Sequence, residues 1–148
     1  MSIQIAFEDI KPLKIGKNSV KKNIKYLISN ELKRLGNISV ILCSDLYLLE
    51  INRQFLKHNY YTDIITFNYC EKDTVSGDLY ISADRVKENA GNFASTFMEE
   101  LYRVIFHGVL HLIGYNDKTK EEQVEMRQKE NFYLSKVDFG GKENDAFL

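Results

Sequence analysis

The chain has 148 residues, 44% of them hydrophobic, and a formal net charge of −1 at pH 7, which together predict one globular domain with a proper core. No run approaches the roughly 20 apolar residues of a membrane span, which excludes a helical membrane protein. The start of the chain lacks the basic residues and long apolar run of a signal peptide, so we expect a cytoplasmic protein.

Strands and helices alternate through the first 60 residues. A first strand is predicted over Ile3–Glu8, followed by an amphipathic helix over Lys17–Leu35 and a second strand over Ile38–Cys43. Ser44 can cap the next helix, which we predict over Leu46–Leu56.

The basic side chains of the helix predicted over residues 17–35 are candidates for contact with a nucleic-acid backbone. Residues 1–60 carry ten Lys or Arg against five Asp or Glu, a balance of +5, whereas residues 61–148 carry ten against sixteen, a balance of −6. A locally basic surface suits a phosphate backbone. A plain solvated helix face is an equal alternative. The candidates are Lys17, Lys21, Lys22 and Lys25, with Lys57 from the following segment.

The middle of the chain predicts two strands and a further helix. Residues 63–69 alternate in the way of a half-buried strand. A polar segment, residues 71–76, connects this strand to another over Asp78–Ser82, and a helix follows from Ala83 to about Asn92.

The two cysteines, Cys43 and Cys70, are isolated in the sequence. They do not form a Cys-x-x-Cys motif, so we interpret them as free thiols in a reducing compartment. No disulfide-linked partner is therefore expected.

A long buried helix is predicted after residue 95. Thr96 and Glu99 have the spacing of a capping box. Residues 104–113 are apolar almost all round, which indicates a central, buried helix. Gly114 can adopt the positive φ that ends a helix, so we expect the chain to turn there.

His107 and His111 stand one turn apart on this helix, so their side chains converge. The turn at Gly114 can carry Asp117 back toward them. Imidazole nitrogen and carboxylate oxygen suit zinc, and three protein ligands leave the fourth position open, as in catalytic sites. The histidine pair alone is also compatible with two hydrogen-bonded core residues; Gly114 and Asp117 favour a divalent ion.

A last helix and a tail complete the chain. Thr119 and Glu122 again have capping-box spacing and open a helix to about Leu134. Residues 136–148 are predicted to be a flexible tail. The fold class is α+β: a single domain over residues 1–135 with a small mixed β-sheet of about four strands, packed with about five helices. The metal site is expected at the C-terminal end of the central buried helix.

The ligand spacing is similar to that of metzincin peptidases, whose helix also turns at a glycine to deliver a third ligand. Those enzymes carry Glu directly after the first histidine, where it acts as general base. This chain has Gly108 at that position.

Three blocks of the sequence resemble the YbeY family of bacterial metal-dependent endoribonucleases. Residues 107–115 match its His-Gly-x-Leu-His-Leu-x-Gly-Tyr run, residues 61–67 are similar to its Pro-Thr-Asp-Val-Leu-Ser-Phe strand, and residues 77–82 to its Gly-Asp-Ile-x-Ile-Ser strand. The resemblance implies a zinc-dependent endoribonuclease specific for single-stranded RNA. It further implies a role in 16S rRNA 3′ end maturation and in ribosome assembly or quality control, with rRNA and the small ribosomal subunit as partners.

The chain departs from the family pattern at three positions. Asp117 stands where the third ligand is usually His, which makes the site more negative and suits a somewhat harder ion. Tyr61 replaces a proline. Leu56 stands where the family carries a basic residue. If that residue contacts RNA phosphate in relatives, then Lys57 or Arg53 must substitute for it, or the activity differs; lysine lacks the bidentate fork of arginine.

Candidate catalytic residues follow from the chemistry expected at the metal site. Arg53, Lys57 and Arg103 are candidates for stabilising charge on the phosphate. Glu100 lies seven residues before His107 and could hydrogen-bond an imidazole or act as a base, although an exposed helix carboxylate is an equal interpretation. His58 is interpreted as a surface residue rather than a catalytic acid.

Two other function classes stay open at this point. A zinc metallopeptidase would use the same three ligands but lacks its usual base. A noncatalytic ribosome assembly factor would use the metal for structure only. Incubating RNA with the protein, with and without a chelator, separates these alternatives.

Overall fold

The structure is a computed structural model, and it describes residues 1–140. A four-stranded mixed sheet has the order β1-β2-β4-β3, in which β1, β2 and β4 are parallel and β3 is antiparallel to β4. The α+β class and the mixed sheet are therefore confirmed. In chain order the elements are β1 Ser2–Glu8, α1 Lys17–Asn30, β2 Arg34–Cys43, α2 Asp45–Phe55, β3 Ile64–Asn68, β4 Thr74–Ser82, α3 Ala83–Asn92, α4 Phe97–Ile113 and α5 Lys120–Leu134.

Helix α4 is the central element of the fold. It packs against β3 and β4 on one side and against α1, α3 and α5 on the others. Alternate side chains of β4 point to opposite faces of the sheet, and each face carries its own hydrophobic cluster. Leu79 and Ile81 join the large core around α4, whereas Tyr80 packs into a smaller cluster with α2 on the other face. The apolar surface of residues 104–113 is buried as expected.

Helix α1 ends five residues earlier than predicted. The expectation of a helix to Leu35 is wrong, because the chain reverses after Asn30 with Leu32 in the left-handed region at φ 61°. The N–H of Lys33 closes this turn on the carbonyl of Ile28 at 3.0 Å. Arg34 then begins β2, and Leu35 packs against the core from the strand. The helical spacing of Leu32 and Leu35 therefore predicts the wrong end for α1.

Strand β4 begins at Thr74, four residues before the predicted start. The polar segment closes as a hairpin, with Lys72 at φ 54° and a bridge between Glu71 and Thr74. The polar composition of this segment predicts a connection, but parallel pairing of Thr74 and Val75 with Arg34 and Leu35 of β2 extends the strand.

The end of the domain packs against the core as far as the structure describes it. Val137 and Phe139 contact the large core, and the ring of Phe139 meets that of Tyr102 edge-on. These two residues belong to the predicted flexible tail, whose residues 141–148 lie outside the described residues.

Both thiols, Cys43 and Cys70, are free. No helix within residues 1–140 is long and apolar enough to cross a membrane.

Candidate metal centre

The C-terminal turn of α4 brings three ligand atoms together. The Nε2 atoms of His107 and His111 lie 3.0 Å apart, and Oδ2 of Asp117 lies 3.1 Å from the first and 3.2 Å from the second. All three side chains are partly exposed, at 25%, 26% and 39%. The arrangement predicted from spacing is therefore present in the fold as a site open to solvent.

Local backbone structure explains this convergence. The predicted capping box of Thr96 and Glu99 is present and fixes where α4 begins. Gly114 ends the helix at φ 124°, a conformation that other residues rarely adopt. The N–H of Tyr115 returns to the carbonyl of Leu110 at 3.0 Å, so the chain folds back over the last turn. This reversal delivers Asp117 to the two imidazoles.

The donor set fits a tetrahedral divalent ion. Bonds of about 2.0–2.1 Å place tetrahedral ligand atoms about 3.3–3.4 Å apart, close to the separations of 3.0–3.2 Å among the three atoms here. Each imidazole is engaged through Nδ1 with an acceptor, so its neutral form directs the lone pair of Nε2 to the common point. Two lone pairs and a carboxylate around one point suit a divalent cation.

Glu130 and the carbonyl of Tyr115 orient the two rings. The Nδ1–H of His107 donates to Oε2 of Glu130 at 2.7 Å, and that of His111 donates to the Tyr115 carbonyl at 2.9 Å. Such outer contacts fix the tautomer and increase the basicity of a ligating histidine. Helical spacing predicts Glu100 as the partner of His107, but the structure has Glu130 in this role.

The sequence signal for Glu130 is its helical spacing with Met126 and Tyr133, which places a carboxylate between two apolar side chains. On α5 the buried residues are Met126, Glu130 and Tyr133, which share one helical face. A carboxylate on an otherwise apolar stripe, only 5% exposed, requires a partner. Arg103 supplies one through Nη1 at 3.0 Å, and His107 supplies the other.

Tyr115 is itself held by a buried carboxylate. Its hydroxyl donates to Oε1 of Glu31 at 2.6 Å, and the Lys129 ammonium and the Tyr133 hydroxyl also donate to Glu31. Burial opposes ionisation, but these hydrogen bonds prevail and lower the pKa of Glu31. The network ties the end of α1 and helix α5 to the loop whose carbonyl orients His111.

Electrostatics around the centre favour positive charge. Burial alone would lower the pKa of His107, but the hydrogen bond and charge of Glu130 and the charges of Asp117 and Asp63 raise it. Burial raises the pKa of Asp63 and of Glu100, so these carboxyls hold a proton more readily than exposed ones.

A cavity of about 390 Å³ beside the centre is lined by two of the candidate catalytic residues predicted from the sequence. Glu100 and Arg103 line it together with His107 and Asp117. Arg127, which the sequence analysis did not single out, also lines this cavity. The wall therefore combines two guanidinium groups with carboxyls.

A second cavity, of about 350 Å³, adjoins the same centre. It is lined by all three ligand residues and by Leu56, His58 and Tyr60 from the loop after α2. His58, interpreted from the sequence as a surface residue, is exposed and yet borders the centre.

The remaining predicted residues lie outside both cavities. Arg53 is paired with Glu50 and Asn59, and Lys57 lies on the loop with φ 56°. On α1, the Lys17 ammonium stands over the Phe7 ring, 5.3 Å from its centroid. Among the residues that the structure describes, none of the basic candidates on α1 lines either cavity: Lys17, Lys21, Lys22 and Lys25.

Removal of the Glu130 carboxylate should weaken metal binding without removing a ligand. We expect Glu130→Gln to lower zinc affinity about 10- to 100-fold, the usual cost of losing an outer partner of a ligating histidine. Chelator competition measures this affinity. Glu125→Gln, an exposed carboxylate on the same helix, is the matched control. Equal affinities for wild type and Glu130→Gln would contradict the positioning role of Glu130.

Comparison with known proteins extends to nearly the whole chain. Residues 4–138 match the model of the family described as Endoribonuclease YbeY. A protein of that name from Bacteroides thetaiotaomicron is 47% identical over 135 residues, covering 91% of this chain and 98% of the relative. Another from Parabacteroides distasonis is 49% identical, covering 91% and 95%. A solution structure of a Thermotoga maritima protein is 32% identical and superposes with a TM-score of 0.67, covering 92% of this chain and 89% of that one.

Proposed function

The chain belongs to the YbeY endoribonuclease family, and we propose that it is itself a metal-dependent endoribonuclease acting on single-stranded RNA. One observation carries the metal dependence: the donor atoms of His107, His111 and Asp117 lie within 4.8 Å of one another. They stand where two open cavities meet. We propose zinc as the ion, since two imidazoles and one carboxylate with an open fourth position are typical of catalytic zinc.

We propose that the protein acts on ribosomal RNA in the cytoplasm, in 16S rRNA 3′ end maturation and in ribosome assembly or quality control, with the small ribosomal subunit as partner. The resemblance of three sequence blocks to the family and the +5 charge balance of residues 1–60 support this proposal.

The residues around the centre have separable roles in phosphodiester cleavage. The chemistry that a divalent ion supplies when bound is activation of water and polarisation of a phosphoryl oxygen. Arg103, fixed by Glu130 and Asn131, can hold a phosphate oxygen beside His107. Glu100 and Asp63 have raised pKa values on the cavity wall and can hold a proton for the leaving oxygen.

The peptidase alternative is disfavoured by packing at Gly108. A Cβ atom there would lie 2.7 Å from Cδ1 of Ile64 and 3.0 Å from Cδ2 of Leu79. This face of α4 lies against the sheet, so the glutamate that zinc peptidases carry at this position would require the side chains of Ile64 and Leu79 to move. With glycine at this position, the centre lacks that general base.

A cleavage assay separates the remaining alternatives. We expect purified protein to cleave single-stranded RNA, to lose this activity with a chelator and to regain it with zinc. Binding should weaken as salt rises, because phosphate contacts release counterions. Arg127→Gln and the pair Lys21→Glu with Lys22→Glu test which basic surface contributes.

Each alternative has its own signature in that assay. Metal-dependent peptide cleavage with RNA affinity indifferent to salt would support the peptidase class. RNA binding without cleavage at any zinc concentration would support an assembly factor with a structural metal. In a separate experiment, retention of immature 16S rRNA 3′ ends in cells depleted of the protein would support ribosomal RNA as the substrate.

A further inference from the structure

The loop after α2 carries an aromatic pair at the edge of the second cavity. The rings of His58 and Tyr60 are stacked, with centroids 5.1 Å apart and planes inclined by 18°. The Tyr60 hydroxyl and Nδ1 of His58 are hydrogen-bonded at 3.0 Å, which joins the rings into one unit. Tyr60 nevertheless remains 56% exposed as a residue, so it is accessible for contact with a ligand.

A buried polar side chain holds this pair in place. Asn52 on α2 is only 1% exposed, and its Nδ2 donates to the carbonyl of Tyr60 at 2.8 Å. The backbone carbonyl of Asn52 accepts the N–H of His58 at 3.0 Å. Both ring-bearing residues are therefore tied to the same residue of a helix. A preorganised pair loses less conformational entropy when it binds a ligand.

The two cavities beside the metal centre differ in chemistry. The first is lined by two guanidinium groups, Arg103 and Arg127, which suit a phosphate. The second has no lysine or arginine among its described lining residues, and Leu56 occupies part of its wall. Planar rings and an apolar side chain next to a phosphate-binding centre suit a nucleobase rather than a second phosphate.

We propose that the His58–Tyr60 pair is a stacking platform for one base of the single-stranded RNA substrate, next to the phosphate at the metal centre. The inference rests on the proposed function and deepens it. His107 and Asp117 line both cavities, so a strand bound at the centre can place a base in the second cavity and a phosphate in the first. Stacking tolerates every base, so this contact provides affinity for unpaired RNA without sequence specificity.

The chain offers a matched control in the neighbouring residue. Tyr61 is 45% exposed but is outside the described lining of the second cavity, and its ring is covered by the guanidinium of Arg85 at 5.1 Å. Tyr61→Ala therefore removes a similar aromatic surface from the same loop. It should leave RNA binding unchanged.

The experiment measures binding of single-stranded RNA oligonucleotides that carry 2-aminopurine at successive positions, with zinc-loaded protein. We expect wild type to quench the fluorescence at one position, because the base stacks on the platform. Tyr60→Ala should abolish this quenching and weaken binding about 5- to 100-fold, whereas Tyr60→Phe, which keeps the ring, should retain both. His58→Ala should reduce both effects.

Abasic nucleotides provide the second arm. An abasic site at the quenched position should weaken binding to wild type but not to Tyr60→Ala, since the contact is already lost. Equal affinity of Tyr60→Ala and wild type, or an equal loss in Tyr61→Ala, would overturn the platform while RNA cleavage by wild type persists. Wild type that neither binds nor cleaves RNA would overturn the proposed function and the platform together.

Discussion

Replacement of His111 by alanine is expected to abolish metal binding and RNA cleavage while the fold persists. The substitution leaves two protein ligands, too few for the three-ligand geometry of catalytic zinc. His111 also donates to the Tyr115 carbonyl, so the turn that presents Asp117 loses a support. We expect near one equivalent of zinc in wild type purified without a histidine tag, and none in His111→Ala, by elemental analysis.

Folding and metal binding can be separated in this test. His111 is 26% exposed and outside the main core, so circular dichroism and thermal unfolding of metal-free His111→Ala should stay close to those of metal-free wild type. If the variant does not fold, its loss of zinc does not test the role of His111 as a ligand, and His111→Asn then serves as the milder substitution. Wild type that is refolded with zinc and retains none after dialysis would refute the metal centre.

Substitutions of Asp117 should have opposite outcomes depending on the replacement. Asp117→Ala removes a donor that lies 3.1 and 3.2 Å from the two Nε2 atoms, so zinc affinity and cleavage should fall strongly. Asp117→His should be tolerated, because it restores the donor usual in the family and imidazole also reaches tetrahedral zinc. The neutral ligand should at the same time weaken binding of harder ions such as manganese relative to zinc.

Chelator competition with both ions measures these affinities for the three proteins. Asp117 is 39% exposed, so neither substitution disturbs the core, and Glu125→Gln again serves as a surface control. Equal zinc affinity in wild type and Asp117→Ala would show that the third ligand is misassigned. Loss of zinc in Asp117→His would show that the loop places only a short side chain correctly.

Zinc affinity should depend on pH through the protonation of His107. Metal binding requires neutral imidazoles, and the raised pKa of His107 means that a proton competes for its Nε2 at higher pH than for an ordinary histidine. Zinc affinity should therefore rise with pH until His107 is deprotonated and level off above that point. The Glu130→Gln substitution removes the main cause of the raised pKa and should move this transition to lower pH.

Local signals in the sequence were sufficient for the helix that carries the centre. Capping boxes at Thr96 and Thr119 depend on residues three apart, and the structure has both. The same locality explains why the side chains of His107 and His111 converge as predicted, since one helical turn fixes their relative position whatever the surroundings. Gly114 adopts a backbone conformation that glycine favours, so the reversal of the chain after α4 could also be predicted from the sequence.

Signals failed where a competing interaction came from a distant segment. Leu32 and Leu35 have helical spacing with the apolar residues of α1, but Arg34 bonds through its N–H to the Asp73 carbonyl at 2.8 Å, which starts strand β2. Glu100 has helical spacing with His107, but the buried Glu130 takes the imidazole. Spacing along one element says nothing about the partner that packing brings to it.

The sequence by itself determined which atoms can bind an ion, because two imidazoles, a glycine turn and a carboxylate within eleven residues act through backbone geometry alone. Only the tertiary structure decided what surrounds them. Glu130 lies 23 residues from His107, and Tyr60 lies 47 residues from it, yet one orients its ring and the other lines the adjoining cavity. Those relations depend on how α5 and the loop after α2 pack against α4, which is a property of the whole core.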